Sequence, residues 1–361
     1  MTFTLFLLAT IMNAAMTLLP MSRYEIWWVR GLDFPRVQLI TLILFTLLLA
    51  CWLPEWSHSG NLALFGINVA CLLYHCWWIM PYTRLHPVEV KSVPAGKALH
   101  PFTVLTANVL ASNRHADCLI DLVRQHKPDI LVTLESDSWW QQQLEALETD
   151  YPYTIKCPLD NLYGMHVYSR LPLENSTIEY LVEPDVPSMH TRILLPCGAR
   201  VRAHFVHPAP PSPTENEESA ERDAELLAVA RSVAAATLPV VVTGDLNDVA
   251  WSTTTRLFRK ISGLLDPRIG RGMFNTFHAE HCFIRWPLDH LFHSHHFRVI
   301  RLQRLKLQGS DHFALLTSLD FRAGHNNGQR MLHADAEDKE LADDKMEHKN
   351  VKKNDVPVPV K

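Results

Sequence analysis

The chain has 361 residues, which is enough for one large domain with additional segments, and its formal net charge is −4. This charge gives no electrostatic basis for bulk binding to nucleic acid. The seven cysteines include no Cys-x-x-Cys pair, so neither a disulfide framework nor a zinc knuckle is indicated.

The N-terminal region contains three apolar stretches, each close to the length that crosses a bilayer. They are Thr2 to Pro20, Val37 to Leu53 and Asn61 to Tyr82, and none contains Lys, Arg, Asp or Glu. A hydrocarbon core of ~30 Å requires about 20 such residues in a helix. The first stretch has no basic region before it, and two more stretches follow. Residues 1–82 are therefore predicted to form three transmembrane helices rather than to begin with a cleaved signal peptide. Asn68 and His75 in the third stretch are predicted to pack between helices.

Basic residues near these stretches predict their orientation. Three lie between the first and second stretches and three follow the third, whereas the N-terminus and residues 55–60 have none. They are Arg23, Arg30, Arg36, Arg84, Lys91 and Lys97. Since Lys and Arg concentrate on the cytoplasmic side of membranes, the N-terminus is predicted outside and everything after Tyr82 in the cytoplasm.

Residues 83–100 are a polar linker with two prolines, long enough to lift the following domain off a membrane surface. From 101 to 322, predicted strands alternate irregularly with helices, including a hairpin from Thr191 to Val206 and a helix from Ser219 to Ala236. This order predicts layered sheets flanked by helices. Residues 323–361 are polar and charged and are predicted to form a disordered tail.

The segment from Val240 to Asp248 has the clearest functional pattern of the chain. Three consecutive valines predict a buried strand, and Gly244 then permits a close turn. Asp245 and Asn247 follow it, where they could bind a hard cation or orient water beside a phosphate. An Asx-type turn without chemistry is the alternative.

Similar polar groups occur at the ends of several other predicted strands. Together they provide carboxylates, two amides and two imidazoles from separate strands, which is how a sandwich builds one site at its edge. The groups are Asn108, Glu135, His207, Asp245 with Asn247, Asp289, and Asp311 with His312.

The order and spacing of these groups resemble the endonuclease/exonuclease/phosphatase superfamily. This superfamily includes deoxyribonuclease I, exonuclease III-type repair nucleases, inositol polyphosphate 5-phosphatases and neutral sphingomyelinases. The resemblance covers Phe102 to Phe321 and implies an α/β (α+β) fold, a four-layer α/β sandwich with two packed mixed β-sheets. The pattern is most similar to bacterial membrane-attached members, which implies a multi-pass protein of the bacterial inner membrane. The matching segments are Asn108, Pro128-Asp129 to Glu135, Gly164 to Arg170, His207-Pro208, Gly244-Asp-Leu-Asn247, Leu288-Asp-His290 and Gly309-Ser-Asp-His312.

The resemblance also implies a role for each group. Asn108, Glu135 and Asp311 correspond to the divalent-metal site, and their oxygen atoms suit Mg²⁺ or Mn²⁺. Asp245, with Asn247 beside it, corresponds to the group that orients and helps deprotonate the attacking water. His207 corresponds to a residue that faces the phosphate. His312, which is paired with Asp289, corresponds to the imidazole that faces the phosphate.

Two departures narrow this resemblance. Leu110 occupies the position at which the repair nucleases have an aspartate, so one metal ligand found there is absent. The segment from Pro287 to His290 replaces the Cys-containing signature of the 5-phosphatases, which argues against inositol phosphates as substrates.

The implied function is hydrolysis of a phosphodiester from nucleic acid, a lipid head group or a small molecule. The alternative is a catalytically silent membrane adaptor, and zinc binding by histidines from His278 to His296 is a further alternative. No basic stripe accompanies the site, which disfavours DNA. The linker and the absence of an exposed aromatic hairpin argue against lipid insertion. On balance the sequence favours a small or lipid-borne phosphodiester, and no protein partner is indicated.

Overall fold

The computed structural model describes residues 2–52, 59–94, 96–234, 236–324 and 328–358. Its helices are α1 (Thr2–Leu18), α2 (Trp27–Arg30), α3 (Arg36–Ala50), α4 (Ser59–Ile79), α5 (Ala116–His126), α6 (Ser138–Leu144), α7 (Ala220–Ala234), α8 (Thr253–Ser262) and α9 (Ala336–His348). Its strands are β1 (Pro101–Asn108), β2 (Ile130–Leu134), β3 (Tyr153–Cys157), β4 (Met165–Ser169), β5 (Leu173–Glu179), β6 (Ser188–Leu194), β7 (Arg200–Phe205), β8 (Val240–Asp245), β9 (Asp289–His293), β10 (Phe297–Lys306) and β11 (Phe313–Phe321).

The N-terminal helices coincide with the three apolar stretches. Residues Phe3–Met21 and Gly60–Tyr82 are each long and apolar enough to cross a membrane. The third candidate consists of two helical parts, Trp27–Asp33 and Arg36–Ala50, which are bent by 73° relative to each other. Among the described residues, therefore, two helices could span a bilayer, or three if the bent pair forms one span.

Polar side chains inside this bundle are bonded to one another. Asn13 Nδ2 donates to Asn68 Oδ1 at 2.9 Å and to Thr46 Oγ1 at 3.1 Å. Thr17 Oγ1 lies 3.0 Å from His75 Nε2. These contacts confirm the prediction that Asn68 and His75 join helices, because polar groups in an apolar bundle are stabilised by pairing across it.

Two mixed sheets pack against each other behind these helices. The first has the order β10-β11-β1-β2-β4-β3 and the second the order β5-β6-β7-β8-β9. Apolar side chains between the sheets form one core, while α5 and α6 cover the outer face of the first sheet and α7 and α8 that of the second. The predicted four-layer sandwich is confirmed, and so is the hairpin, which is β6 and β7.

Strand register brings the predicted site residues to one edge. In β1 and β2, which are parallel, Asn108 is opposite Leu134, the residue before Glu135. In the antiparallel pair of β8 and β9, Asp245 is opposite Asp289. The Oγ1 atoms of Thr106 and Thr243 are 2.8 Å apart and join the two sheets directly behind this edge.

The predicted disordered tail differs from the structure. Helix α9 begins after Asp335, whose side chain accepts a hydrogen bond from the Asp338 backbone N–H and caps the helix. Ala342 and Met346 are buried against α7, and Val351 and Val356 extend the same contact. Only a few apolar residues make this contact, so the charged composition of the segment gave no sign of a helix. Residues 325–327 and 359–361 of the predicted tail lie outside the described residues.

The predicted linker also packs against the domain instead of lifting it off the membrane. Val90 is fully buried in the core between the sheets. Glu89 accepts hydrogen bonds from the Arg259 side chain and from the backbone N–H of Asp266. The Val93 N–H donates to the Val299 carbonyl oxygen at 2.8 Å, beside the edge strand β10. The chain therefore runs from the N-terminal helices directly onto the sandwich.

Candidate active site

The turn after β8 places Asp245 and Asn247 at the edge of the second sheet. Gly244 has a φ of +155°, and a Cβ here would lie 1.8 Å from the Val206 carbonyl oxygen, so only glycine fits. The Asn247 N–H donates to Asp245 Oδ1 at 2.9 Å, and Asn247 Nδ2 donates to the Pro208 carbonyl oxygen at 3.0 Å. The turn thus engages one oxygen of Asp245 and leaves Oδ2 for its neighbours.

His312 lies between two buried carboxylates. Its Nδ1 is 2.8 Å from Asp289 Oδ2, and its Nε2 is 3.5 Å from Asp245 Oδ2. Burial alone would lower the pKa of His312, but the carboxylates of Asp289 and Asp245 raise it to about 10. At neutral pH the side chain is therefore an imidazolium whose orientation is fixed by Asp289.

The same three residues meet the geometric requirement for a metal site, since their donor atoms lie within 4.8 Å of one another. In this arrangement both ring nitrogens of His312 face carboxylate oxygens, so neither is directed at a cation shared with Asp245 and Asp289. We interpret Asp245, Asp289 and His312 as a hydrogen-bonded ion network. Among the described residues no second group of three meets that requirement, and the histidines from His278 to His296 are not gathered into such a group.

Glu135 and Asn108 continue the site on the first sheet. Asn108 Nδ2 donates to Glu135 Oε1 at 2.7 Å and lies 3.4 Å from Asp245 Oδ2, while its Oδ1 accepts the Leu110 N–H at 3.1 Å. Asn108 therefore holds two carboxylates together in this arrangement, and its role as a metal ligand stays a prediction. Burial raises the pKa of Glu135 to about 7 against the lowering effect of the Asn108 hydrogen bond.

Glu135 and Asp311 are the residues that could hold a divalent cation. Asp311 contributes to the raised pKa of Glu135, and its buried Oδ1 has no hydrogen-bond partner among the described residues. Two carboxylates that share one site and have no basic side chain bonded to them are stabilised by a bound cation. Their oxygen atoms suit Mg²⁺ or Mn²⁺.

His207 lies behind Asp245 and is almost completely buried. Burial lowers the pKa of His207, although the Asp245 carboxylate acts in the opposite direction and His312 adds to the lowering. The ring packs 5.5 Å from the ring of Tyr163. His207 is thus a neutral imidazole near the network, in contrast to the imidazolium of His312.

A pocket of about 620 Å³ opens over these groups. It is lined by five of the eight predicted site residues, whereas Asn108, His207 and Asp289 lie behind them and support them. The five are Glu135, Asp245, Asn247, Asp311 and His312. The volume lies within the usual range for a small-molecule site, ~300–1,000 Å³.

A sequence profile of the Endonuclease/Exonuclease/phosphatase family matches residues 105–312, a range that contains every predicted site residue. The chain belongs to this family. Family members are phosphoester hydrolases and nucleases that use divalent metals. The resemblance to this superfamily is confirmed, whereas attachment to a membrane stays a prediction. Among curated proteins, none matches the chain significantly.

Solved structures of the family share the fold. D. rerio TDP2 in complex with a single-strand DNA product is 15% identical, covers 61% of this chain and 98% of its own, and has a TM-score of 0.52. The catalytic domain of human Nocturnin with a bound sulfate anion is 18% identical, with coverages of 62% and 94% and a TM-score of 0.51. A family protein from Bacteroides vulgatus is 17% identical, with coverages of 62% and 100% and a TM-score of 0.50.

One positioning residue of this family member was not predicted from the sequence. Arg222 in α7 is buried, and its guanidinium donates to the Asn247 carbonyl oxygen at 2.8 Å and to Asp223 Oδ1 at 2.9 Å. It also lies 3.6 Å from Asp248 Oδ1. Arg222 therefore fixes the turn that carries Asp245. Its position at the start of a predicted helix gives no signal of this role.

The apolar wall of the pocket was also missed. It combines residues before α3 with Pro210, Pro211 and residues of the segment between α8 and β9. An apolar pair, Phe283-Ile284, within an otherwise polar loop was the available signal. Phe283 is 84% exposed and Ile284 52% exposed, which corrects the expectation that no exposed aromatic loop is present. The wall residues are Trp27, Phe34, Pro35, Pro210, Pro211, Phe277, Phe283, Ile284, Trp286 and Leu288.

Proposed function

We propose that this chain is a membrane-anchored, divalent-metal-dependent phosphodiesterase. The observation that carries the proposal is the imidazolium of His312, held between Asp289 and Asp245 at a pocket that also contains Glu135 and Asp311. A fixed positive group opposite a pair of cation-binding carboxylates suits an anionic phosphate. A silent adaptor would gain nothing from burying such a network, since burying charges costs free energy.

The proposed chemistry is attack of water on phosphorus. Asp245, held by the Asn247 N–H, orients the water and accepts its proton. The water oxygen bonds to phosphorus as one P–O ester bond breaks, and the departing alkoxide takes up a proton. The products are an alcohol and a phosphomonoester.

The remaining groups stabilise charge on the phosphoryl oxygens. His312 donates an N–H from a position fixed by Asp289, and the neutral His207 provides a further donor nearby. Glu135 and Asp311 would hold Mg²⁺ or Mn²⁺, which when bound neutralises phosphate charge and favours ionisation of water. Asn108 keeps Glu135 and Asp245 in place.

We also propose where the enzyme is located in the cell. The N-terminal helices anchor the enzyme in the bacterial inner membrane, and the basic residues that flank them favour the cytoplasmic side for the catalytic domain.

The test uses the full-length protein in detergent with bis-p-nitrophenyl phosphate as substrate. We expect hydrolysis with Mg²⁺ or Mn²⁺ and none in excess EDTA. Asp245→Ala and His312→Ala should each lower turnover by ~10²–10⁴-fold, the scale of acid–base and charge-stabilising groups. His348→Ala, which changes an exposed histidine on α9, is the matched control. Equal rates with and without EDTA, or normal turnover of Asp245→Ala, would contradict the proposal.

A further inference from the structure

The pocket above the proposed catalytic groups has two chemically different sides. Its floor carries carboxylates and the His312 imidazolium, whereas its wall consists almost entirely of aromatic, aliphatic and proline side chains. None of the residues described as lining it is Lys or Arg. A site that tracks a nucleic-acid backbone normally clusters these basic residues, so the lining favours a substrate with one phosphate and an apolar part.

A continuous series of rings connects the floor with the N-terminal helices. The ring of Phe277 is 5.0 Å from that of His312 and 6.3 Å from that of Trp286. Trp286 in turn lies 5.5 Å from Phe34. Phe34 precedes α3 by two residues, so the apolar side of the pocket ends where a candidate membrane span begins.

The corner between α2 and α3 forms this end of the pocket. Here the chain bends by 73°, and Phe34, Pro35 and Gln38 face the pocket. The corner is joined to the sandwich, because Trp251 Nε1 donates to the Asp33 carbonyl oxygen at 3.0 Å. The site therefore cannot be separated from the membrane helices without losing one of its walls.

The exposed loop that carries Phe283 and Ile284 also lines the pocket, beside the α2–α3 corner. Gln38 Nε2, in the first turn of α3, donates to the Phe283 carbonyl oxygen at 2.7 Å. The loop tip is thus held beside the beginning of the candidate span. Large apolar side chains that are exposed at this level of the molecule are favourable when they contact the bilayer interface.

We infer that the physiological substrate is a phosphodiester carried by a membrane lipid. Its phosphate reaches the floor, and its apolar part follows the apolar wall past the α2–α3 corner and the adjoining loop of Phe283 and Ile284 into the bilayer. This inference rests on the proposed function. It adds the substrate class and the entry path.

The experiment compares three substrates of the full-length protein with Mg²⁺. They are dioleoylphosphatidylglycerol in dodecylmaltoside mixed micelles, bis-p-nitrophenyl phosphate and a single-stranded DNA oligonucleotide. Phosphorus-31 NMR follows conversion of the lipid diester into a phosphomonoester, whichever ester bond is cleaved. The variant is F283S/I284S, and I300S is the control because Ile300 is an exposed residue of β10 that does not line the pocket.

We expect F283S/I284S to lower the ratio of lipid to chromogenic-diester hydrolysis by roughly tenfold, the scale of losing one apolar contact with the bilayer. The I300S control should keep the wild-type ratio. An unchanged ratio in F283S/I284S overturns the inference, as does cleavage of the oligonucleotide or the chromogenic diester without cleavage of the lipid. These outcomes leave the proposed function intact. Cleavage of none of the three substrates overturns the proposed function together with the inference.

Discussion

At the scale of single residues, the proposed role of Glu135 in binding the cation can be tested separately from the other roles in the site. Its partly buried carboxylate is not bonded to a basic side chain of the described residues, and desolvation raises its pKa to about 7. We expect Glu135→Gln to raise the half-saturating Mg²⁺ concentration by at least ~10-fold, because even residues that only orient a metal ligand have effects of this size. Rates measured against Mg²⁺ concentration check this.

The control for this prediction is Glu145→Gln, which changes an exposed carboxylate directly after α6 that does not line the pocket. An unaltered Mg²⁺ requirement in Glu135→Gln would show that the cation lies elsewhere. Asp311, the other proposed ligand, would then need a different partner.

The sequence predicts which residues lie at the site better than it predicts how their side chains are bonded to one another. The sequence placed Glu135, Asp245 and His312 at one edge because polar groups that follow buried strands meet there. It could not predict the direction of the Asn108 amide, which depends on the Leu110 N–H and on two carboxylates from different strands. Arg222 escaped prediction for the same reason, since two of its partners, Asn247 and Asp248, lie in a different element.

At the scale of elements, α7 differs from the amphipathic helix that the sequence predicts. The helix is buried on nearly all sides, and α9 covers the face that would otherwise be solvated. This burial includes Glu225, whose Oε1 has no hydrogen-bond partner among the described residues. Burial, with a smaller contribution from the Glu183 carboxylate, raises the pKa of Glu225 to about 8.

The buried carboxyl of Glu225 makes stability depend on pH. Its folded-state pKa lies above the unfolded value of about 4.5, so the stabilisation is complete below pH 4.5 and is lost as pH rises through about 8. We expect Glu225→Gln, which cannot ionise, to melt above wild type at pH 9 and to lose this advantage at pH 5. Each pKa unit corresponds to about 1.4 kcal/mol. Thermal unfolding at both pH values checks this, with exposed Glu217→Gln as control; equal differences at both pH values would contradict it.

Helix α9 leads to a second prediction at this scale. Ending the full chain after Arg322 removes the buried Met346 and Val356 and the Lys345 side chain, which lies 2.9 Å from Asp223 Oδ2. Since each buried side chain of this size contributes about 1.5–3 kcal/mol, the loss is large compared with a typical net stability of about 5–15 kcal/mol.

We expect this truncation to lower both the melting temperature and the turnover, because Asp223 also holds Arg222. Ending the chain after Val358 is the matched control. If the two truncated proteins had the same melting temperature, α9 would be dispensable for stability. The disordered tail predicted from composition would then be the better description.

At the scale of the whole molecule, the N-terminal helices and the sandwich form continuous contacts that composition could not show. Tyr82 donates to the Ala250 carbonyl oxygen, and the rings of Tyr82 and Trp251 lie 5.9 Å apart. The sequence predicted the two parts separately, because apolar stretches and strand patterns are local signals. Their junction depends on side chains almost 170 positions apart, and only the folded chain brings them together.

The geometry of this junction makes membrane orientation testable. The helix ends at Leu18, Arg36 and Ile79 lie on the sandwich side, so Ala50 and the neighbouring Cys51 lie at the opposite end of α3. Cys51 and Cys197 are both exposed free thiols, one beyond each side of the helical segment. Basic residues on the sandwich side predict that this side is cytoplasmic.

We therefore expect a membrane-impermeant thiol reagent to label Cys51 on intact cells when it is the sole cysteine of the chain. A chain with Cys197 as its sole cysteine should be labelled only after permeabilisation. Each variant serves as the control for the other, since both thiols are accessible in detergent. The reverse pattern would place the active site outside the cytoplasm, where the substrate would have to come from the outer leaflet of the membrane.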